Sequence, residues 1–322
     1  MKKRLFNILL LVAVLILADI LVGFIGKSII NKVSRTPLSS QAALIAYNVQ
    51  SAKADVIIVG SSTATCHYIP SLLADSLSNF NGEKLTSFNA GAYFQGIPYC
   101  KAVVKGVFER FHPQMIIMDI QPQQLFEAMP ENQQKPLRPY YHINDNIKEI
   151  LDTNTGFIGK MELLSHLYCN NCEMIKLLFA LRSSGTASSS EVTGYDRQNG
   201  VMSEMPQFAT IPVVDDARPM YANDLLEIVK MCRTNNCEFV AVISPFLNRE
   251  YSSSYYVDYL KDFCEKNDVL LFDYLSDDSF QDYTLFRDSR HLNHQGATKL
   301  TQRISSDISR RVQIGTGSHK MF

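Results

Sequence analysis

The sequence predicts an α/β fold in which helices cover both faces of a mostly parallel sheet, giving three layers. Two observations predict it: apolar runs of strand length recur along the chain, and helical patterns separate several of them. Strands that alternate with helices are typical of a parallel sheet buried on both sides. A third observation locates a candidate site, because the first run ends abruptly in Gly60-Ser61-Ser62. In such folds the carboxyl ends of the strands open onto a crevice, although glycine and serine also dominate ordinary turns.

The predicted strands are apolar runs of strand length, at 55–60, 85–91, 114–120, 238–245 and 269–274. Helical patterns at 99–111 and 221–236 precede the third and fourth strands. The stretch from His294 to Ile308 is the predicted closing helix. Together these elements define a predicted α/β domain over 55–311, followed by a tail over 312–322.

The bulk composition excludes few classes of protein. The chain has 322 residues, of which 46% are hydrophobic and 20% are charged, so it can bury a sizeable core. Its formal net charge is -1, and no basic run occurs beyond the N-terminus. A nucleic-acid partner is therefore not expected.

The N-terminus predicts a membrane anchor over 1–26 followed by a stalk over 27–54. Three cationic residues, Lys2, Lys3 and Arg4, precede an apolar segment of about the 20 residues that a spanning helix needs. A signal peptide is the alternative, but its apolar core is usually shorter and ends at a small-residue cleavage site. Cations ahead of the span favour a cytoplasmic N-terminus and an extracytoplasmic body, although further cations after the span weaken this bias. Asp19 is expected near the far interface, where a carboxylate costs less than at the centre.

The segment 125–220 interrupts the strand and helix alternation and predicts an inserted helical subdomain. It mixes helical and polar stretches, and an unstructured loop of this length is improbable in a compact domain. We expect it to pack beside the carboxyl edge of the sheet and to wall the site. Its tyrosines and histidines are expected in core or surface roles (Tyr140, Tyr141, His142 and His166).

Seven cysteines fit an exported protein only in part. Cys169 with Cys172 and Cys232 with Cys237 are close pairs that could oxidise, and an odd total leaves at least one thiol unpaired. A zinc site built from the two pairs is less favoured, because the second spacing is loose. No metal or other cofactor is expected. The chain contains no Asn-x-Ser/Thr sequon, which favours a bacterial envelope over a eukaryotic lumen.

The chemistry-bearing residues lie at the two ends of the predicted domain. A nucleophilic serine needs a base, and the imidazole base needs a carboxylate to fix its tautomer. Two residues separate Asp288 from His291 in a loop between the last strand and the closing helix. With Ser62 they make a candidate catalytic set.

Three ordered blocks resemble the SGNH hydrolases, also called the GDSL family. They are Gly60-Ser61-Ser62 after the first strand, Asn89-Ala90-Gly91 after the second, and Asp288-Ser-Arg-His291 before the last helix. The resemblance implies a flavodoxin-like three-layer sandwich, Ser62 as nucleophile, Asp288 and His291 as its partners, and an oxyanion hole that includes the backbone N–H groups of Ser62 and Gly91.

One block departs from the family pattern. The family places an asparagine after the third strand to donate a hydrogen bond to the oxyanion, whereas this chain has Ile120-Gln121-Pro122. Gln121 carries the same amide on a longer arm and is the expected substitute. Loss of one such donor costs on the order of 10²-fold or more in rate.

The combination of an anchor with Gly-Ser-Ser is most similar to SGNH-like envelope proteins that accompany membrane-bound O-acyltransferases. The resemblance implies an acyl ester, acetyl above all, on a cell-envelope glycan, and such an O-acyltransferase as partner. Hydrolysis and transfer share one acyl-enzyme, so both stay open. The alternative is a catalytically weak envelope protein that binds glycan or docks to the acyltransferase.

Five further residues near these blocks have weaker functional interpretations. Asn89, His294 and Asp119 are candidate substrate contacts, with helix-start or strand-end roles as the alternatives. His67 is expected to belong to the turn and helix entry. Cys66 is disfavoured as a nucleophile, because serine, aspartate and histidine already stand in family order.

Overall fold

The computed structural model describes residues 2–35, 37, 40–183, 193–207, 218–247 and 254–312. Two parts of the predicted insertion, 184–192 and 208–217, and the predicted tail beyond residue 312 lie outside the described residues. The α-helices are α1 Lys2–Val33, α2 Gln41–Gln50, α3 Ser62–His67, α4 Pro70–Asn81, α5 Ile97–Phe108, α6 Glu131–Gln134, α7 Asp145–Asn154, α8 Phe157–Leu163, α9 His166–Ser183, α10 Ala222–Thr234, α11 Tyr255–Lys266 and α12 His294–Arg311. The strands are β1 Val56–Gly60, β2 Ser87–Asn89, β3 Met115–Asp119, β4 Glu238–Ile243 and β5 Leu270–Asp273.

The strands form one five-stranded sheet in the order β2-β1-β3-β4-β5, and every pair in it is parallel. The chain leaves β1 toward β2 on one side and later returns to β3 on the other side. A sheet that reverses its strand order in this way opens a crevice at the carboxyl ends of the strands on either side of the switch. Ser62 follows β1 at that point.

Helices cover both faces of the sheet, which confirms the predicted α/β class. Alternate side chains of the central strands, such as Val56 and Ile58, share a buried cluster with Leu73 of α4 and Leu300 of α12. Helices α5 and α10 pack on each other and contact β1 and β4, respectively. Because both faces are buried, the strands are near-continuous apolar runs rather than alternating ones.

The chain divides into two compact units, and the sheet belongs to the unit formed by Ser51–Ala128 and Ser190–Phe322. The other unit joins Met1–Gln50 to Met129–Ser189. It therefore combines the N-terminal helices with part of the predicted insertion. Within it, α9 packs on α1 and α2.

Helix α1 is long and apolar enough to cross a membrane, and no residue in its most apolar window is buried. It continues past residue 26, where the predicted anchor ends, to Val33. Much of the predicted stalk is helical, because α1 and α2 bury apolar side chains such as Ile30 and Ile45 inside their unit. A signal sequence near an N-terminus can satisfy the same criteria of length and apolar composition.

Gly60 lies where the backbone of β1 closely approaches β3 and α3. Its φ is +153°, and a Cβ atom there would lie 2.7 Å from both the Asp119 carbonyl oxygen and the Ala64 Cβ. Any other residue must therefore push β1 away from β3 or displace α3.

We expect Gly60→Ala to lower the free energy of unfolding by about 2–3 kcal/mol, because crowding adds to backbone strain. Gly82→Ala is the matched control: its φ is +72°, but its Cβ would meet nothing within 4 Å. It should cost only about 1 kcal/mol. Denaturant titration of both variants checks this, and equal losses would show that crowding at Gly60 is relieved without cost.

Candidate active site

Ser62 is the first residue of α3, immediately beyond the end of β1. Ser61 is buried. Its carbonyl accepts two hydrogen bonds from Thr65, one from the backbone N–H at 3.2 Å and one from the side-chain hydroxyl at 3.1 Å. Ser62 is partly exposed. Of the two serines, Ser62 is thus the one that the strand-to-helix turn presents to solvent.

The structure brings Ser62, His291 and Asp288 into one hydrogen-bonded chain. The His291 Nε2 atom lies 2.8 Å from the Ser62 Oγ, and its Nδ1 atom lies 3.0 Å from each carboxylate oxygen of Asp288. A hydrogen on Nδ1 satisfies the carboxylate, which leaves Nε2 as an acceptor for the serine hydroxyl. This is the arrangement of a nucleophile, its base and the group that orients the base.

A tight loop holds Asp288 and His291 in place. Phe286 and Leu292 are fully buried and form an antiparallel bridge across it, and the Arg287 N–H donates to the His291 carbonyl at 2.9 Å. The backbone N–H groups of residues 290 and 291 donate to the Asp288 Oδ1 at 3.0 Å. Partial burial raises the pKa of Asp288, but hydrogen bonds from the backbone and from the His291 ring more than offset it, and the pKa lies below its usual value.

His67 fixes this loop to α3, a role that the sequence interpretation missed. Its ring is fully buried, and its Nε2 accepts a hydrogen bond from the Leu292 N–H at 3.0 Å. Burial, followed by the proximity of His291, lowers the pKa of His67 to about 3, so the ring is neutral and can accept. The two rings stand edge to face with centroids 6.4 Å apart. One sequence signal pointed to this contact: His67 lies in the last turn of the helix that begins at Ser62.

The three predicted oxyanion donors differ in their present partners. The Ser62 N–H lies at the first position of α3, where backbone donors lack an acceptor within the helix. The Gln121 Nε2 reaches the same turn and donates to the Thr63 hydroxyl at 3.3 Å, a long hydrogen bond. The Gly91 N–H donates to the Asn89 Oδ1 at 3.0 Å and is therefore engaged inside the protein.

Two of the predicted substrate contacts are buried. Asn89 has no exposed surface, and its Nδ2 donates to the carbonyls of Ala64 at 2.7 Å and Tyr68 at 3.3 Å. Asp119 is 2% exposed, and its Oδ2 accepts from the Ser244 hydroxyl at 2.7 Å. This geometry argues against direct contact of either side chain with substrate, because both are used to hold the elements beneath the site.

His294, the third predicted substrate contact, is partly exposed beside the segment 193–202. Its Nδ1 lies 3.0 Å from the Tyr195 hydroxyl, and its backbone N–H donates to the Gln198 carbonyl at 2.8 Å. The Asp196 N–H donates to the Thr65 carbonyl at 2.9 Å. This segment is the C-terminal part of the predicted insertion, and it contacts both α3 and the start of α12.

Cys66 has the surroundings of an inert thiol. Its Sγ lies 3.0 Å from the Tyr93 hydroxyl, and burial raises its pKa to about 12. The thiolate, which is the nucleophilic form, is thus scarce at neutral pH. Cys232 and Cys237 are free and buried, and the side chain of Cys172 lies outside what the structure describes. Within the described ranges, no group of three His, Cys, Asp or Glu residues is placed to hold a metal ion.

Comparison with known proteins gives only distant structural likenesses. No protein-family model matches the chain, and no curated protein matches it. An alpha/beta hydrolase enzyme from the metagenome of Lake Arreo, Spain, is similar at 12% identity with a TM-score of 0.42, over 81% of this chain and 97% of that one. A proposed acylhydrolase from Bacteroides fragilis is similar at 10% identity with a TM-score of 0.35, over 82% and 94%. Likenesses of this degree support no statement about the activity of this chain.

The buried carboxyl of Asp119 predicts a pH-dependent stability. Burial raises its pKa to about 7 in the folded protein, against 3.8 for the ordinary group. The folded state therefore keeps a proton that the unfolded chain releases. The stability from this difference is complete below the unfolded pKa and is lost as the pH rises toward about 7.

Asp119→Asn removes this titration while keeping an acceptor for Ser244. We expect the melting temperature of the variant, relative to wild type, to rise by several degrees between pH 4.5 and pH 8. Thermal unfolding of both proteins at the two pH values measures this difference. A relative melting temperature that does not change with pH would show that Asp119 is ionised in the fold.

Proposed function

We propose that the protein is a serine enzyme of acyl-ester chemistry with Ser62 as the nucleophile. The observation that carries this proposal is the continuous chain from the Ser62 Oγ through the His291 ring to the Asp288 carboxylate. Aspartate and serine side chains abound in any protein, but an imidazole between a partly exposed serine hydroxyl and a carboxylate is the geometry of an activated serine.

The chemistry follows from this geometry in two half-reactions. The Ser62 Oγ attacks the acyl carbonyl while its proton passes to the His291 Nε2. The bond from the carbonyl carbon to the alcohol oxygen then breaks, and His291 returns the proton to the departing alcohol. A second acceptor, water or a sugar hydroxyl, repeats these steps in the opposite direction and frees Ser62. Asp288 stabilises the imidazolium during both half-reactions.

The negative charge on the carbonyl oxygen needs donors at the start of α3. The Ser62 N–H supplies one. The Gln121 amide supplies the second when it exchanges its 3.3 Å hydrogen bond to Thr63 for one to the oxyanion. The Gly91 N–H contributes only if it leaves Asn89 or shares its hydrogen between two acceptors.

The substrate class proposed is an acyl ester, acetyl above all, of a bacterial cell-envelope glycan. An apolar N-terminal helix of spanning length supports an enzyme held at the membrane, with the body on the extracytoplasmic side. The resemblance of the three sequence blocks to SGNH proteins of polysaccharide O-acetylation supports the glycan. A membrane-bound O-acyltransferase is the proposed partner.

A second candidate is a catalytically weak SGNH-like protein that binds glycan or docks to that acyltransferase. The engaged Gly91 amide and the glutamine in place of the family's asparagine favour it. It differs from the first candidate in one measurable respect, since it requires no turnover at Ser62.

The two neighbouring serines offer a matched pair of variants. Ser62→Ala removes the attacking oxygen, so we expect it to lower the hydrolysis rate of an activated acetyl ester by roughly 10³-fold or more. Ser61→Ala should stay within about tenfold of wild type, because Ser61 contributes mainly its backbone carbonyl. Circular dichroism shows whether both variants fold. A dead Ser61→Ala beside an active Ser62→Ala would move the nucleophile by one residue, and two active variants would exclude a serine mechanism.

The fate of the acyl group separates the esterase from the acyltransferase. We expect the full-length protein in detergent, given an acetyl ester and an envelope-type oligosaccharide, to place acetyl on the sugar, with Ser62→Ala as the blank. Mass spectrometry of the sugar measures the product. Acetate release that is unaffected by the oligosaccharide would exclude transfer and leave an esterase.

A further inference from the structure

The C-terminal half of α1 packs closely against α9. A Cβ atom on Gly23 would lie 2.8 Å from the His166 ring, and one on Gly26 would lie 2.6 Å from the Asn170 Oδ1. Because later residues of α1 meet later residues of α9, the two helices run in the same direction. Of the residues of α9, those at its start therefore lie nearest to the apolar N-terminal part of α1.

Asp19 fastens the start of α9 to α1. Its Oδ1 accepts from the Ser165 hydroxyl at 2.6 Å and from the Leu167 N–H at 2.9 Å, and its Oδ2 accepts from the His166 N–H at 3.1 Å. The N–H groups of His166 and Leu167 are among the backbone donors that have no acceptor within a helix. The corner between α8 and α9 thus lies level with Asp19.

The length of α1 gives the depth of that corner. Its exposed apolar side chains run from Leu5 to Ile25. A hydrocarbon core of about 30 Å takes about 20 residues at about 1.5 Å each, so a span that begins after Arg4 ends near Phe24. Asp19 then lies about five residues, or about 8 Å, inside the boundary at which α1 leaves the bilayer.

The corner between α8 and α9 exposes apolar side chains, as expected of a surface that lies inside the hydrocarbon core. Phe157 is 80% exposed, Ile158 is 74% exposed and Met161 is 56% exposed, all on α8, and Leu164 and Leu167 continue the same surface. The α8 residues and Leu164 have the i, i+1, i+4, i+7 spacing of one helix face. We call this surface of five residues the corner patch.

The remaining residues of α8 fit a helix that lies in a membrane interface. Leu163 is 1% exposed and packs into the unit, whereas Lys160 and Glu162 are exposed on either side of the apolar face. An apolar stripe flanked by charges, on a helix too short to span, is typical of helices that lie at the boundary between headgroups and acyl chains.

We propose that the corner patch inserts into the lipid bilayer beside α1, as a second membrane contact of this chain. The occupant is lipid rather than a partner helix because Asp19 holds the corner at a depth inside the span of α1. The proposal rests on α1 spanning a membrane and is independent of the chemistry at Ser62.

The chain contains no tryptophan, so a single introduced tryptophan reports its own depth. We expect Phe157→Trp, in full-length protein reconstituted into phosphatidylcholine vesicles with brominated acyl chains, to lose fluorescence nearly as strongly as Leu21→Trp on α1. Ile175→Trp is the matched control, because Ile175 is 53% exposed on α9 and follows Asn170, which packs against Gly26 beyond the end of the span. It should therefore lie outside the hydrocarbon, and acrylamide in water should quench it.

Four results would overturn the proposal. Phe157→Trp quenched by acrylamide and not by bromine would place the corner patch in water, and protection from both would mean that protein covers it. Equal bromine quenching of Ile175→Trp would contradict the depth that Asp19 sets. A Leu21→Trp that bromine does not quench would exclude the span itself, whereas hydrolysis of a soluble acyl ester by the same sample tests Ser62 separately.

Discussion

The 2.8 Å contact between the Ser62 hydroxyl and the His291 imidazole joins the first strand of the sheet unit to its last loop. It forms only if two conditions hold together. The turn after β1 must be tight enough to expose Ser62, which requires a residue without a side chain at position 60. The loop before α12 must also be pinned to α3, which His67 and the bridge between Phe286 and Leu292 achieve.

The polar groups buried beneath this contact serve the site indirectly. The Asn89 amide donates hydrogen bonds to two carbonyls of the α3 segment, and the neutral His67 ring accepts one from the Leu292 N–H. Unpaired buried polar groups cost about 1–3 kcal/mol each, so such a network specifies one arrangement of the loops above the sheet. The same network explains why the Gly91 amide is engaged, since the Asn89 Oδ1 needs a donor once its Nδ2 is committed.

Much of the sheet was predictable because each strand is a continuous apolar run. All five strands lie inside the predicted segments, and each is shorter than its segment by one to four residues. The convergence of Ser62 with Asp288 and His291 followed from the order of the blocks and from the rule that strand ends share one edge. The burial of Asn89 and Asp119 did not follow, because a strand-end position gives the edge of the sheet but not the direction of the side chain.

Contacts between distant segments were beyond the sequence. Nothing in the local pattern around His67 identified Leu292 as its partner, and nothing around Asp19 identified the start of α9. The packing of the helices in the predicted stalk was beyond the sequence for the same reason, since the apolar residues that α1 and α2 bury face residues more than one hundred positions away.

Ser62 as the nucleophile is tested most directly by labelling the folded full-length protein with a fluorophosphonate and mapping the adduct by mass spectrometry. Such a probe reacts with a serine only where a base activates it. We predict one adduct, on Ser62, that disappears when His291 is replaced by alanine in a protein that remains folded. No adduct on folded wild-type protein, or labelling that persists without His291, would contradict a serine activated by this imidazole.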